Sequence, residues 1–137
     1  MRQLFRGKTF MCLVGCMLFL AGWVLGQEKA TTQKTYIHAA AWSAVENMTP
    51  EQFEKYKKET AGLIGTVPGL RKVWVGKLQE PITVDGIKRD YGLIFEFDDA
   101  KSNAAYVKQH TSLPWYQTSH KLRKPDSGST IFDVVGE

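Results

Sequence analysis

The sequence predicts an α+β fold built on one antiparallel sheet, in the order β-α-β-β-α-β. Two observations carry that prediction. Four segments with strand character, Tyr36–Ser43, Leu70–Leu78, Tyr91–Phe97 and Thr130–Val135, are separated by helical patterns after the first and after the third. Between the second and third lies only a polar stretch, Gln79–Asp90, with Pro81 and Asp85-Gly86. That stretch reads as a long hairpin loop with room for extra strand pairing.

The first strand alternates Tyr36, His38, Ala40 and Trp42 against Ile37, Ala39 and Ala41. The first helix has a complete start signal. Thr49 suits the N-cap, Pro50 the first turn, and Gln52 completes a capping box, with Met48 and Phe53 placed as a hydrophobic staple. Phe53, Tyr56, Thr60, Leu63 and Ile64 then share a face, and Gly65 is a candidate stop. In the second strand Val73 and Val75 oppose Trp74, and in the third Tyr91, Leu93, Phe95 and Phe97 oppose Gly92, Ile94 and Glu96. Asp98 or Asp99 caps a second helix to about Gln109, with Ala100, Ala104 and Val107 expected inward. A short helix over Leu113–Leu122 follows, and then the last strand.

This order is that of a ferredoxin-like domain, whose helices cover one face of the sheet. The other face needs a cover as well. With Trp42 and other aromatics expected there, two copies packed sheet to sheet would form a dimeric α/β barrel. On that assignment, Trp42→Glu would yield a monomer.

The N-terminus reads as a signal peptide over residues 1–26. Arg2, Arg6 and Lys8 precede the uncharged apolar run Phe10–Gly26, and cleavage is expected after Gly26. The alternatives are an uncleaved anchor and lipidation at Cys16. Residues 27–34 read as a flexible leader and 35–137 as the domain, exported to a periplasm or secreted, with no membrane contact after cleavage. The chain has 18 Lys+Arg against 14 Asp+Glu, a net charge of +4. Three of the cations and none of the acids lie in the signal, so the exported part is near neutral and carries no nucleic-acid footprint. Both cysteines, Cys12 and Cys16, fall there too. The domain itself thus has no disulfide, thiol nucleophile or thiolate metal site. The three histidines have no ligand spacing, so neither a metal nor a cofactor is expected. Haem degradation, with His38 or His110 as axial ligand, stays open as an alternative chemistry.

Three segments together resemble the stress-responsive dimeric α/β-barrel family. They are His38-Ala39-Ala40-Ala41-Trp42; Ile64-Gly65-Thr66-Val67-Pro68-Gly69-Leu70 through Val75-Gly76-Lys77; and Tyr91–Asp98 followed by Ala105-Tyr106 and His110. The resemblance spans about Tyr36 to Val135 and implies a homodimer. In cyclase-like members a tyrosine and the second histidine of a Y-x-x-H-P-x-H run act on substrate. Here Tyr106 matches the tyrosine, His110 arrives one residue late, and Leu113 stands where the second histidine would be. Catalytic residues are therefore not assigned.

The ligand-binding candidates are His38, Trp42, Phe97, Tyr106 and His110. An imidazole titrates near neutrality, and Tyr106 and His110 are one helical turn apart. Each also has an ordinary packing role, and the aromatics Trp42, Phe95, Phe97, Trp74 and Trp115 suit a core or an interface. The function expected is binding of a small apolar or aromatic molecule in the barrel. The alternatives are a cofactor-free cyclase-like or monooxygenase-like enzyme, and a purely structural stress protein.

Overall fold

The structure is a computed structural model that describes residues 34–136. The signal-peptide segment, both cysteines and most of the leader lie outside the described residues.

The elements are β1 (Tyr36–Trp42), α1 (Pro50–Ala61), β2 (Leu70–Val84), β3 (Ile87–Phe97), α2 (Ala100–Gln109), a 3₁₀ turn (His110–Ser112), α3 (Pro114–Lys121) and β4 (Ser129–Val135). The sheet runs β2-β3-β1-β4 with every neighbouring pair antiparallel, the ferredoxin-like arrangement.

Local chemistry sets the element ends. Thr49 Oγ1 accepts from Gln52 N (3.2 Å) while Thr49 N donates to Gln52 Oε1 (2.8 Å), the expected capping box. Asp99, rather than Asp98, caps α2 by accepting from Ser102 N (2.7 Å). Asp98 instead pairs with Arg71. Gly69 has φ +77°, and a Cβ there would collide with Ser102, so the chain entering β2 needs glycine.

The hairpin departs from expectation. Gln79–Asp90 is mostly strand, not loop: β2 and β3 continue to a two-residue turn at Asp85-Gly86, both with positive φ (51° and 74°). The register shifts between Lys77 and Ile82, which accommodates Pro81. Most side chains of this arm meet water.

The core lies between the sheet and the helices. It contains Trp42, Tyr56, Leu63, Leu93, Phe95, Phe97, Tyr106, Trp115 and Leu122. Trp42 stacks on Tyr91 (5.0 Å between centroids) and meets Tyr56 edge-on (5.9 Å). Thr60 supplies the buried polar link, accepting from Trp115 Nε1 (2.8 Å) and donating to the Tyr56 carbonyl (2.7 Å).

Three sequence expectations about faces are corrected. Trp42 is fully buried under α1 and does not face outward. Register explains this: Trp42 pairs with Tyr91 and His38 with Phe95, so they share the helix-covered face. The other face carries Ala39, Ala41, Trp74, Gly76, Gly92, Ile94 and Phe132, and Trp74, Ile94, Phe132 and Val134 stay exposed. In α2 the inward residues are Asn103 and Tyr106, whereas Val107 is 46% exposed. The Tyr106 ring packs on Phe95 and Phe97 at 5.3 and 5.6 Å and sets the rotation of the helix. Ile64 lies beyond the end of α1 and is exposed as well.

Candidate functional site

A cleft of about 310 Å³ opens between the β1–β4 side of the sheet and the segment from α2 to α3. Its walls include His38, Tyr106, His110, Tyr116, Arg123, Ser129 and the apolar Leu93, Trp115 and Ile131. It exists because the helices do not cover β4 fully: Ile131, which belongs to the inner face, is 57% exposed.

His38 is positioned by the sheet. On β1 it stands between Phe95 of β3 and Asp133 of β4. Its Nδ1 lies 2.7 Å from Asp133 Oδ1. With Nδ1–H donating to the carboxylate, Nε2 keeps its lone pair and is the nitrogen left for a ligand. The imidazole is 11% exposed and the carboxylate 38%, so the base lies inside and its partner at the water's edge. Phe95 stacks on the ring at 6.5 Å and Tyr106 meets it edge-on at 6.1 Å.

Tyr106 and His110 do share a face, with ring centroids 5.5 Å apart. His110 Nδ1 donates to the Val107 carbonyl (2.7 Å), again leaving Nε2 free. Tyr116 continues the aromatic row, 5.3 Å from His110. Burial, and then the neighbouring Tyr56, hold the Tyr106 phenol well above the usual range, so it remains a neutral hydrogen-bond donor. Burial and then Asp133 also raise the Tyr36 phenol.

Of the five residues expected to contact a ligand, His38, Tyr106 and His110 line this one cleft. Trp42 and Phe97 do not: both are completely buried core residues. His38 faces the helices too, so the cleft lies on the opposite side of the sheet from a barrel interior. Asp133, Tyr116 and Arg123 were not anticipated. The available signal was Asp133, whose alternation with Ile131 and Val135 puts a carboxylate on the inner face of an otherwise apolar strand.

Two other concavities contrast with it. The open sheet face has an apolar hollow of about 410 Å³ bounded by Ala39, Trp74, Ile94 and Phe132. A polar recess of about 510 Å³ lies by Ser43, Lys88, Asp90 and Lys124, and part of its polar surface is already bonded internally, Ser43 Oγ donating to the Lys88 carbonyl (2.6 Å). Neither has a histidine. Among the described residues there is no cluster of three or more metal-ligating side chains, and no helix is long and apolar enough to cross a membrane.

No protein-family profile and no curated protein matches the chain. Solved structures do. A dimeric ferredoxin-like protein of unknown function from Thermobifida fusca is 16% identical, with a TM-score of 0.54 over 78% of this chain and 97% of its own. A Dabb family protein with a ferredoxin-like fold from Mesorhizobium loti is 12% identical, with a TM-score of 0.53 over 77% and 99%. The hydroxynitrile lyase of Passiflora edulis is 11% identical, with a TM-score of 0.54 over 77% and 95%. The chain has the ferredoxin-like fold. At these identities the likeness extends to the fold alone, and the cleft chemistry rests on the residues of this chain.

Proposed function

We propose that this chain is an exported homodimer of the stress-responsive α/β-barrel family. Each protomer binds a small apolar or aromatic molecule bearing an oxygen function in the cleft beneath its helices. The observation that carries the binding site is the His38–Asp133 pair, 2.7 Å apart, with His38 at the wall of a cleft that also presents Tyr106, His110, Trp115 and Tyr116 beside aliphatic side chains. Such a site combines an apolar body with a few convergent polar groups, as small-molecule sites do. His38 Nε2 accepts from the ligand's hydroxyl, or its protonated form donates to a carbonyl. Tyr106 donates its phenolic proton.

The dimer is supported by the open sheet face, where Trp74, Ile94, Phe132 and Val134 form an apolar patch suited to a second copy. Structures of the same fold are dimers. Family membership is supported by the three matching segments and by likeness to a Dabb family protein. Export is supported by the pattern of residues 1–26.

The same pair favours a second reading, a cofactor-free enzyme. A carboxylate holding Nδ1–H fixes the tautomer that exposes a basic Nε2, the arrangement of a general base. His38 would take a proton from the ligand, and the Tyr106 phenol would stabilise the resulting oxyanion. The fold supports lyases and proteins without assigned activity alike, so it does not choose between binding and turnover.

A fluorescent probe tests the site. 2-Naphthol, neutral at pH 7, is expected to bind the wild-type protein, and His38→Ala to weaken binding about tenfold, the value of one lost hydrogen bond. Equal binding by both proteins would place the site elsewhere.

A further inference from the structure

One wall of the cleft carries a charge that the structure does not neutralise. Arg123 follows α3, and its guanidinium lies over the Trp42 ring, 5.6 Å from the centroid. Its one hydrogen bond among the described residues is from Nη1 to Ser129 Oγ (2.8 Å), and no carboxylate there pairs with it. Nε, the Tyr56 hydroxyl and Ser119 Oγ are buried beside one another without a well-formed hydrogen bond. Arg71, by contrast, has Asp98.

The lining as a whole points the same way. Among the described residues no Asp or Glu lines this cleft, and Arg123 is the one permanent charge in its lining. Asp133 is turned to His38. Arg123, Tyr116 and Ser129 also border an adjoining groove containing His120, Lys121 and Lys124, with Asp126 as its one acid. A cation partly removed from water, without a counter-ion, is an unfavourable arrangement that an incoming anion relieves. Its planar fork matches a carboxylate better than a point charge would. The stacking on Trp42 and the Ser129 contact hold that fork in place before a ligand arrives.

We propose that Arg123 is the anion-binding group of this cleft and that the ligand is an apolar or aromatic molecule bearing a carboxylate. This rests on the cleft being the ligand site and adds the substrate class. The carboxylate lies against the Nη atoms of Arg123 and the ring between Tyr106, Tyr116 and Trp115. The oxygen function of the ligand faces His38. The basic groove beside the cleft raises the local concentration of such an anion.

The test compares 2-naphthoate with 2-naphthol, which share a ring system and differ in charge at pH 7. Wild-type protein is expected to bind the acid about 10- to 100-fold more tightly, as for a charge-assisted hydrogen bond. Arg123→Met, which keeps an unbranched apolar side chain and removes the charge, abolishes that preference. A wild-type protein that does not prefer the acid, or an Arg123→Met protein that still does, overturns the assignment. His38-dependent binding of 2-naphthol alongside no preference for the acid removes only Arg123, whereas no binding of either probe removes the ligand site with it. If Arg123→Met does not fold, two further measurements decide. Arg123→Lys should lose several-fold of the preference, and in wild-type protein the Arg123 Nε–H NMR signal should shift with 2-naphthoate and not with 2-naphthol. Arg123→Lys with the full preference, or an Nε–H signal unmoved by 2-naphthoate, counts against the proposal.

Discussion

His38 shows how one residue's role depends on neighbours far away in sequence. The alternation of β1 put it on a face with Trp42, and that much was legible. Which face the helices cover was not, because Ala39 and Ala41 on one side and Ala40 on the other give little contrast. The decision comes from bulk: the inner face pairs Trp42 and His38 with Tyr91 and Phe95, and α1 delivers Tyr56 onto them. Asp133 is 95 residues from His38 in sequence, so only the β1–β4 register could reveal the pair. Buried phenols give a prediction at the same scale. Burial raises Tyr56 and Tyr106 above the ordinary phenol value of about 10. A pKa raised in the folded state contributes stability that is complete below the unfolded value and is lost as pH rises through the folded one. Stability should therefore fall above about pH 10. Absorbance at 295 nm should show these two tyrosines ionising together with loss of the circular-dichroism signal, and free titration of all five before unfolding would count against their burial.

At the scale of elements, the parts with explicit local chemistry were the most legible. The capping box at Thr49 and Gln52, the Pro50 start and the Asp99 cap all form as the sequence suggests. Thr49→Ala should lower stability by about 1 kcal/mol, measured as a shift in denaturant midpoint at unchanged slope. A shift of zero would mean that α1 is held by its packing alone. Elements governed by tertiary context were less legible. The hairpin arm places Ile82, Val84 and Ile87 on one side, but Pro81 and the surrounding polar residues kept that alternation too short to mark a strand. Its Asp85-Gly86 turn was the better guide, since positive φ at both positions joins two strands directly. The small α2 residues Ala100 and Ala104 suggested an inner stripe, but one large ring, Tyr106, outweighs them in buried area.

For the whole molecule, burying Trp42 moves the expected dimer interface onto other residues. The outer face has Trp74, Ile94 and Phe132 in one row, flanking Ala39. Trp74→Glu is therefore predicted to give a monomer on native mass spectrometry, with the fold intact, by placing an unpaired charge between the sheets. Trp42→Ala should leave the dimer and cost about 3–5 kcal/mol of stability, a large share of the roughly 5–15 kcal/mol typical of a domain. Dissociation by the Trp42 change and not by the Trp74 change would reverse the assignment of the two faces. The same spectra test the proposed export, which predicts a chain beginning at Gln27.

The apolar hollow on the outer face and the histidine-bearing cleft on the inner face offer a ligand two places to bind, and the His38–Asp133 pair favours the cleft. NMR chemical-shift mapping with 2-naphthol separates them directly. Shifts are expected at His38, Tyr106, His110 and Asp133, with the open face unchanged. Shifts confined to Ala39, Trp74, Ile94 and Phe132 would contradict the cleft as the site and place the ligand on the open face, between the two sheets of the proposed dimer.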